Sequence, residues 1–451
     1  MAASGHKMGL VTAIAVVTGT MIGSGIFLLP SALASFGGIS IVGWLFTSAG
    51  ALLIALSLSR LSRMIPKAGG PYAYTQAAFG DFPGFLMGWG YYIALLTAGA
   101  AIAVAFVGYL GVFIPGLTDK PAASAICALI VIWAVTAVNV YGVRQAGALQ
   151  LWTTVLKILP LLVMILAGAL YFNADHFTPF NASGDSSFSA ITATATLTLW
   201  AYVGLESAAV LAESVRDPER NVPRATMIGT LITAAIYILG TAAVMGIMHP
   251  DALAISTAPF ADAAEKIWGE WAGYMIATGA VISCLGALNG LIFVQGQMPF
   301  AMARDKLFPA GLARISKRGT PIRSLVLSGA VVTIFMAFNY TRGLVELFKF
   351  LILLATLSAL LPYAFCTMAE IALVGRKRWT MSSRKIRTVV ITATLAFVYS
   401  MWTVVGAGER TVAWGFMALL AGIPVFVWYR WKHDQNQRDE EPTDRHTGHS
   451  P

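Results

Sequence analysis

Val16-Val17-Thr18-Gly19-Thr20-Met21-Ile22-Gly23-Ser24-Gly25-Ile26-Phe27-Leu28-Leu29-Pro30 has the polarity of a membrane helix and the wrong residues for an unbroken one. Three glycines and a serine fall mid-stretch. Each glycine costs about 1 kcal/mol in a helix interior. Several together predict a local break, and a break at bilayer depth survives only where it lines a cavity or is covered by protein. The alternative is a small-residue face for close helix packing.

The rest of the chain supports a membrane setting. Its 451 residues are 57% hydrophobic and only 11% charged, against about 25% charged in soluble domains. That excludes an ordinary soluble globule, and a disordered chain would be polar and charge-rich. Cys127, Cys284 and Cys366 lie in apolar runs, which suits buried thiols rather than a disulfide framework. About 20 apolar residues cross a bilayer as a helix. Such segments occur near residues 10–34, 40–62, 83–113, 122–142, 149–172, 189–213, 225–248, 272–302, 323–340, 344–373, 387–406 and 411–430. The runs do not alternate in polarity, so the reading is an all-α membrane protein with twelve transmembrane helices, not a β-barrel.

Twelve spans place both termini on one side. If that side is the cytoplasm, 24 of the 30 Lys and Arg residues fall there, as the positive-inside rule requires. The net charge of +9 then reflects topology rather than nucleic-acid binding. The first apolar stretch is too long for the core of a signal peptide. Residues 1–430 form one transmembrane domain, and 431–451 form a polar cytoplasmic tail expected to be disordered. His446 and His449 in that tail read as solvated residues rather than metal ligands.

The sixth span has a matching interruption: Thr198-Leu199-Trp200-Ala201-Tyr202-Val203-Gly204-Leu205-Glu206-Ser207-Ala208. Glu206 is a carboxylate inside the membrane, a functional candidate by default, with a structural ion pair as the alternative. Broken helices five spans apart imply an inverted repeat (about 10–172 and 189–373, with helices 11–12 at about 387–430 appended) and a midplane site between them. Such a site suits a zwitterion. Amides at a half-helix N-terminus bind a carboxylate, and carbonyls at a half-helix C-terminus bind an ammonium. Trp200 and Tyr202 flank the second break and can face a substrate cation or simply pack. Lys157 lies in the fifth span, about 12 Å deep. It can carry a coupling proton or replace a bound Na⁺, or it can snorkel to the headgroups. Gly69-Gly70-Pro71-Tyr72-Ala73-Tyr74 is a turn cluster, and residues 216–224 read as a solvated, charged connector.

These motifs resemble the amino acid–polyamine–organocation (APC) transporters, which have a LeuT-like fold with a 5+5 inverted repeat and broken helices 1 and 6. The resemblance covers nearly the whole chain. It rests on residues 19–27, the cluster at 69–74, residues 199–207 and Pro218-Glu219-Arg220-Asn221-Val222-Pro223. The branch it most resembles is the bacterial basic amino acid/polyamine antiporters. The resemblance implies alternating access in a bacterial inner membrane. Thr20, Ile22, Gly23, Ser24, Gly25, Trp200, Ala201, Val203, Gly204 and Leu291 would bind substrate. Ser24 with its glycines would hold the carboxylate, and Val203 and Gly204 would offer carbonyls. Tyr91, Lys157, Glu206 and Tyr363 would gate or couple. No cofactor or metal is implied. The partners would be the bilayer and an amino acid or amine, with a homodimer left open.

The chain departs from the arginine/agmatine exchangers of that branch. Thr20 and Gly99 stand where they have asparagine, Leu291 where they have tryptophan, and Ala355 where they have serine. They carry an apolar residue at Lys157, whereas proton-coupled and neutral amino-acid branches have a lysine there. The leading expectation is therefore an amino acid/amine antiporter. The alternative is a proton-coupled symporter or exchanger of small neutral amino acids using Lys157. An enzyme would need clustered His or paired carboxylates in the bilayer, and His6, His176, His249, His433, His446 and His449 all lie outside the span interiors. A channel would need a repeated filter, and none occurs.

Overall fold

The computed structural model describes residues 8–440 except 68, 142, 211, 213–214, 317–318, 340–343 and 377–381. The tail histidines His446 and His449 lie outside these residues. The described chain is all-helical, apart from a single bridge between Met8 and Val215.

Among the described residues ten helical stretches are long and apolar enough to cross a membrane, and residues 156–171 and 322–337 are shorter apolar helices. In chain order the first part comprises α1 (Leu10–Met21), α2 (Ser24–Ala34), α3 (Ile39–Met64), α4 (Pro71–Phe79), α5 (Asp81–Leu110), α6 (Pro121–Tyr141) and α7 (Val143–Tyr171). After a 3-10 turn at Ala174–Phe177 come α8 (Ser187–Leu199), a 3-10 turn at Trp200–Tyr202, and α9 (Ser207–Val210). The rest comprises α10 (Pro218–Ile247), α11 (Pro250–Ile255), α12 (Pro259–Trp268), α13 (Glu270–Arg304), α14 (Ile322–Asn339), α15 (Leu344–Arg376), α16 (Ser383–Gly406), α17 (Glu409–Leu420) and α18 (Gly422–Glu440).

Local chemistry explains several boundaries. Gly69 and Gly70 have φ of +113° and +53°, a region that favours glycine. Pro71 then opens α4 at a position where its missing N–H costs nothing. The turn cluster thus delivers a short helix. Pro218 likewise begins α10, so the connector at 216–224 is mostly the first turns of that helix, with its charged residues exposed. The last helix runs on to Glu440. Its polar end, rich in Lys, Arg, Gln and Glu, contains no glycine or proline to stop it.

Helix α5 lies at the centre, packed against α13 and α15, and α10 packs along α3. Hydroxyls tie the buried helices together. Thr47 Oγ1 lies 2.8 Å from Thr198 Oγ1, and Ser48 Oγ lies 2.6 Å from the Tyr202 hydroxyl, joining α3 to the sixth span. Arg60 Nε lies 2.8 Å from the buried Glu370 carboxylate of α15, which also accepts from Ser57 at 2.7 Å.

Candidate functional site

Both expected breaks are present. Helix α1 ends at Met21; Ile22 is extended, with ψ of 93°, and Gly23, at φ −139° and ψ −133°, caps α2 without a side-chain hydrogen bond. A Cβ on Gly23 would sit 2.6 Å from Ala287 Cβ of α13, so only glycine fits. In the sixth span Val203 turns extended, with ψ of 126°, and Gly204 adopts φ of +109°. The glycines therefore act as chain breakers rather than as a packing face alone.

The two breaks lie against each other. A Cβ on Gly204 would be 2.9 Å from Thr20 Cγ2, and one on Gly25 would be 3.1 Å from Ala201 Cβ. Tyr237 of α10 links them: its hydroxyl donates toward Met21 O at 2.5 Å and Ala201 O at 3.0 Å. One hydroxyl proton is shared between two carbonyls, so the carbonyl ends of both broken helices meet at one side chain. Tyr237 was not among the residues singled out in the sequence.

Lys157 lies fully buried. Its Nζ donates to Gly19 O and, at 2.6 Å, to Ile22 O. The ammonium thus sits at the carbonyl end of α1, where the helix dipole favours positive charge, and the side chain does not snorkel. Two of its three donors are used.

Glu206 is also fully buried. Tyr91 of α5 donates to its Oε1, Tyr363 of α15 donates to Oε2 at 2.6 Å, and the Gly204 amide approaches Oε2 at 3.3 Å. Burying a carboxylate is costly unless it is hydrogen-bonded, and three donors from three elements meet that need. Three of the four expected gating or coupling residues, Tyr91, Glu206 and Tyr363, are brought together in this one knot, and the fourth, Lys157, sits at the first break instead. Ser207 Oγ closes the turn on Gly204 O at 2.5 Å.

The remaining positions divide. The N-cap of α2, Gly23, supplies no side-chain hydrogen bond, so the N–H groups that open the helix at Gly23, Ser24 and Gly25 are donors suited to an anion; the Ser24 side chain lies outside the described residues. Trp200 is 4% exposed, and its Nε1 has no hydrogen-bond partner. Tyr202 is packing: it bonds Ser48 and its ring lies against Trp44 and Tyr237. The Thr20 hydroxyl turns back to Val16 O at 2.7 Å. Leu291 is buried on α13. One turn on, Gln295 reaches across to α5, and its Nε2 donates to Leu95 O at 2.6 Å. A Cβ on Gly99 would be 2.6 Å from that same nitrogen. An amide from α13 therefore fills the space beside Gly99. Gln295, the second residue missed, was visible as one of three amides, with Asn289 and Gln297, in an otherwise apolar run.

A half-helix start with no side-chain cap, carbonyls of two broken helices shared by one tyrosine, a buried lysine at the first break and a buried glutamate at the second form the interior of a multi-pass membrane transporter, not of an enzyme. The chain belongs to the amino acid permease family, whose profile matches residues 8–428. It is 32% identical to the putrescine transporter PotE of Haemophilus influenzae over 96% of this chain and 99% of that one. It is 33% identical to a cadaverine/lysine antiporter of Escherichia coli over 98% of both, and 31% identical to the Escherichia coli putrescine transporter PotE over 93% of this chain and 95% of that one.

Proposed function

We propose that this protein is an amino acid/amine antiporter of a bacterial inner membrane, with twelve spans in a LeuT-like 5+5 inverted repeat and both termini in the cytoplasm. The single observation that carries the reading is the apposition of the two breaks, with Gly204 against Thr20 and Gly25 against Ala201. The amides of Gly23, Ser24 and Gly25 would bind the substrate carboxylate, and carbonyls near Val203 and Gly204 its amino group. Trp200 would cover the substrate. Glu206 with Tyr91 and Tyr363 would form the gate, since three elements that must move apart share one carboxylate.

Near-full-length relatives named for putrescine, cadaverine and lysine support a diamine paired with its parent basic amino acid. The amide of Gln295 beside Gly99 supports the same choice, because it leaves a polar group at the substrate's far end. The neutral amino-acid alternative is favoured by Lys157, whose ammonium occupies carbonyls that a coupling cation would otherwise use. Proteoliposomes loaded with cadaverine and given external labelled lysine test the choice. The reading expects uptake that depends on internal cadaverine and persists without a proton gradient. Uptake of alanine or serine driven by a proton gradient, abolished in Lys157→Met, would select the alternative.

A further inference from the structure

The Trp200 indole N–H is a surplus donor in a donor-rich place. The side chain is 4% exposed and its Nε1 has no partner, although buried donors are nearly always satisfied. Every neighbouring acceptor described above is already engaged. The carbonyls of Met21 and Ala201 take the Tyr237 hydroxyl, those of Gly19 and Ile22 take Lys157, and the Glu206 carboxylate takes Tyr91, Tyr363 and the Gly204 amide. The indole instead faces the space left by the missing side chain of Gly25: a Cβ there would lie 3.5 Å from Nε1. The same space adjoins the uncapped first turn of the 11-residue helix α2. Backbone donors and an unpaired indole donor thus converge on one point, and the Lys157 ammonium on Ile22 O adds positive charge nearby, which also suits an anion.

We infer that the Trp200 indole N–H donates to the carboxylate of a bound amino acid, and that it thereby sets the preference between an amino acid and the amine left by its decarboxylation. The inference rests on the antiporter reading above and adds a role for Trp200 beyond covering the substrate. An amino acid presents a carboxylate that satisfies the indole together with the α2 amides. A diamine presents only donors at that end, so the indole stays unpaired when the diamine is bound. A site built to hydrogen-bond one group discriminates against the analogue that lacks it. In an exchanger the asymmetry has a use, because incoming acid and outgoing amine share one pocket but are held by different numbers of protein donors.

The test is binding of lysine and of cadaverine to the purified full chain in nanodiscs, by calorimetry. Trp200→Phe keeps a ring and removes the donor. Lysine should weaken about ten- to a hundred-fold, the worth of a hydrogen bond to a charged group, while cadaverine changes less than about threefold on the same scale. Retained cadaverine binding shows that the variant is folded. Trp200→His, which restores a ring N–H, should recover part of the lysine loss. If Trp200→Phe does not fold, Trp200→Tyr asks the same question, since it also keeps a ring and removes the indole donor, with the same selective loss expected. Equal weakening of both probes, or unchanged lysine affinity, overturns the assignment and leaves the antiporter reading standing. Wild-type protein that binds neither probe removes both.

Discussion

Gly204→Ala is the sharpest test of the second break, because two costs of different origin fall on one methyl. Residue 204 has φ of +109°, and a non-glycine residue in such a sparsely populated region costs about 1–3 kcal/mol. The new Cβ also meets Thr20 Cγ2 at 2.9 Å, and overpacking of this kind costs about 1–3 kcal/mol more. The sum is about 2–6 kcal/mol. In a chain this size each kcal/mol moves a melting midpoint by about 2 °C or less, so the midpoint in nanodiscs should fall by about 4–12 °C. The two parts separate in a second variant. Thr20→Ser removes Cγ2 and keeps the hydroxyl, so Gly204→Ala with Thr20→Ser should recover the steric part and leave the backbone part. Exchange measured in proteoliposomes at equal protein density should stay lost in both, since the turn that aims Val203 and Gly204 is altered in each. A midpoint within a degree of wild type, with wild-type exchange, would show that residue 204 tolerates an ordinary helical conformation and that the second break is dispensable.

Three other substitutions probe the surrounding framework. Glu206→Gln keeps the shape of the knot and its contact with Tyr363 but removes the charge, so turnover should fall about tenfold or more while surface expression stays near wild type, the loss of one charge-assisted hydrogen bond; a wild-type rate would dismiss the gate. Arg60→Ala leaves the fully buried Glu370 without its cation, and breaking such a pair costs about 3–5 kcal/mol; Arg60→Met with Glu370→Met should recover most of the lost thermal stability, and no recovery would show that the pair is not the reason. Burial, with Glu265 beside it, holds the Asp262 carboxyl on α12 above its ordinary value, against the opposing hydrogen bond from Ser256. A raised folded pKa means that stability is fully present below the unfolded pKa and is lost as pH rises through the folded one. Asp262→Asn should therefore raise the melting midpoint near neutral pH and leave it unchanged in acid; the reverse order would refute the assignment of charge.

Much of this was legible because the informative residues break rules of their own setting. Glycines inside an apolar run, Glu206 and Lys157 at bilayer depth, and proline after paired glycines each violate a local preference, and the violation marks the site. Span positions followed from hydropathy, and most described helices begin and end close to them, but α7 and α10 begin several residues earlier than expected and the last expected span is two helices, α17 and α18, the second running on to Glu440. What stayed hidden depends on contacts between distant residues. Tyr237 looks like any aromatic in a span, and its bond to Met21 joins positions 216 residues apart. Gln295 was visible as an amide but not as the group that fills the space beside Gly99. Tyr202 lies two residues from Trp200, yet its bond to Ser48 turns it into packing while Trp200 keeps an unpaired donor. The short helices α4, α11 and α12 escaped a search tuned to lengths of about 20 residues.

The most direct measurement is a lysine-bound structure of the full chain in nanodiscs. The α-carboxylate should lie within hydrogen-bond reach of the amides at Gly23, Ser24 and Gly25, with the α-amino group on carbonyls of the second break, about 2.7–3.2 Å in each case. Lysine found away from both breaks, or α1 running into α2 as one unbroken helix around it, would contradict the idea that exposed peptide groups, rather than charged side chains, hold the substrate.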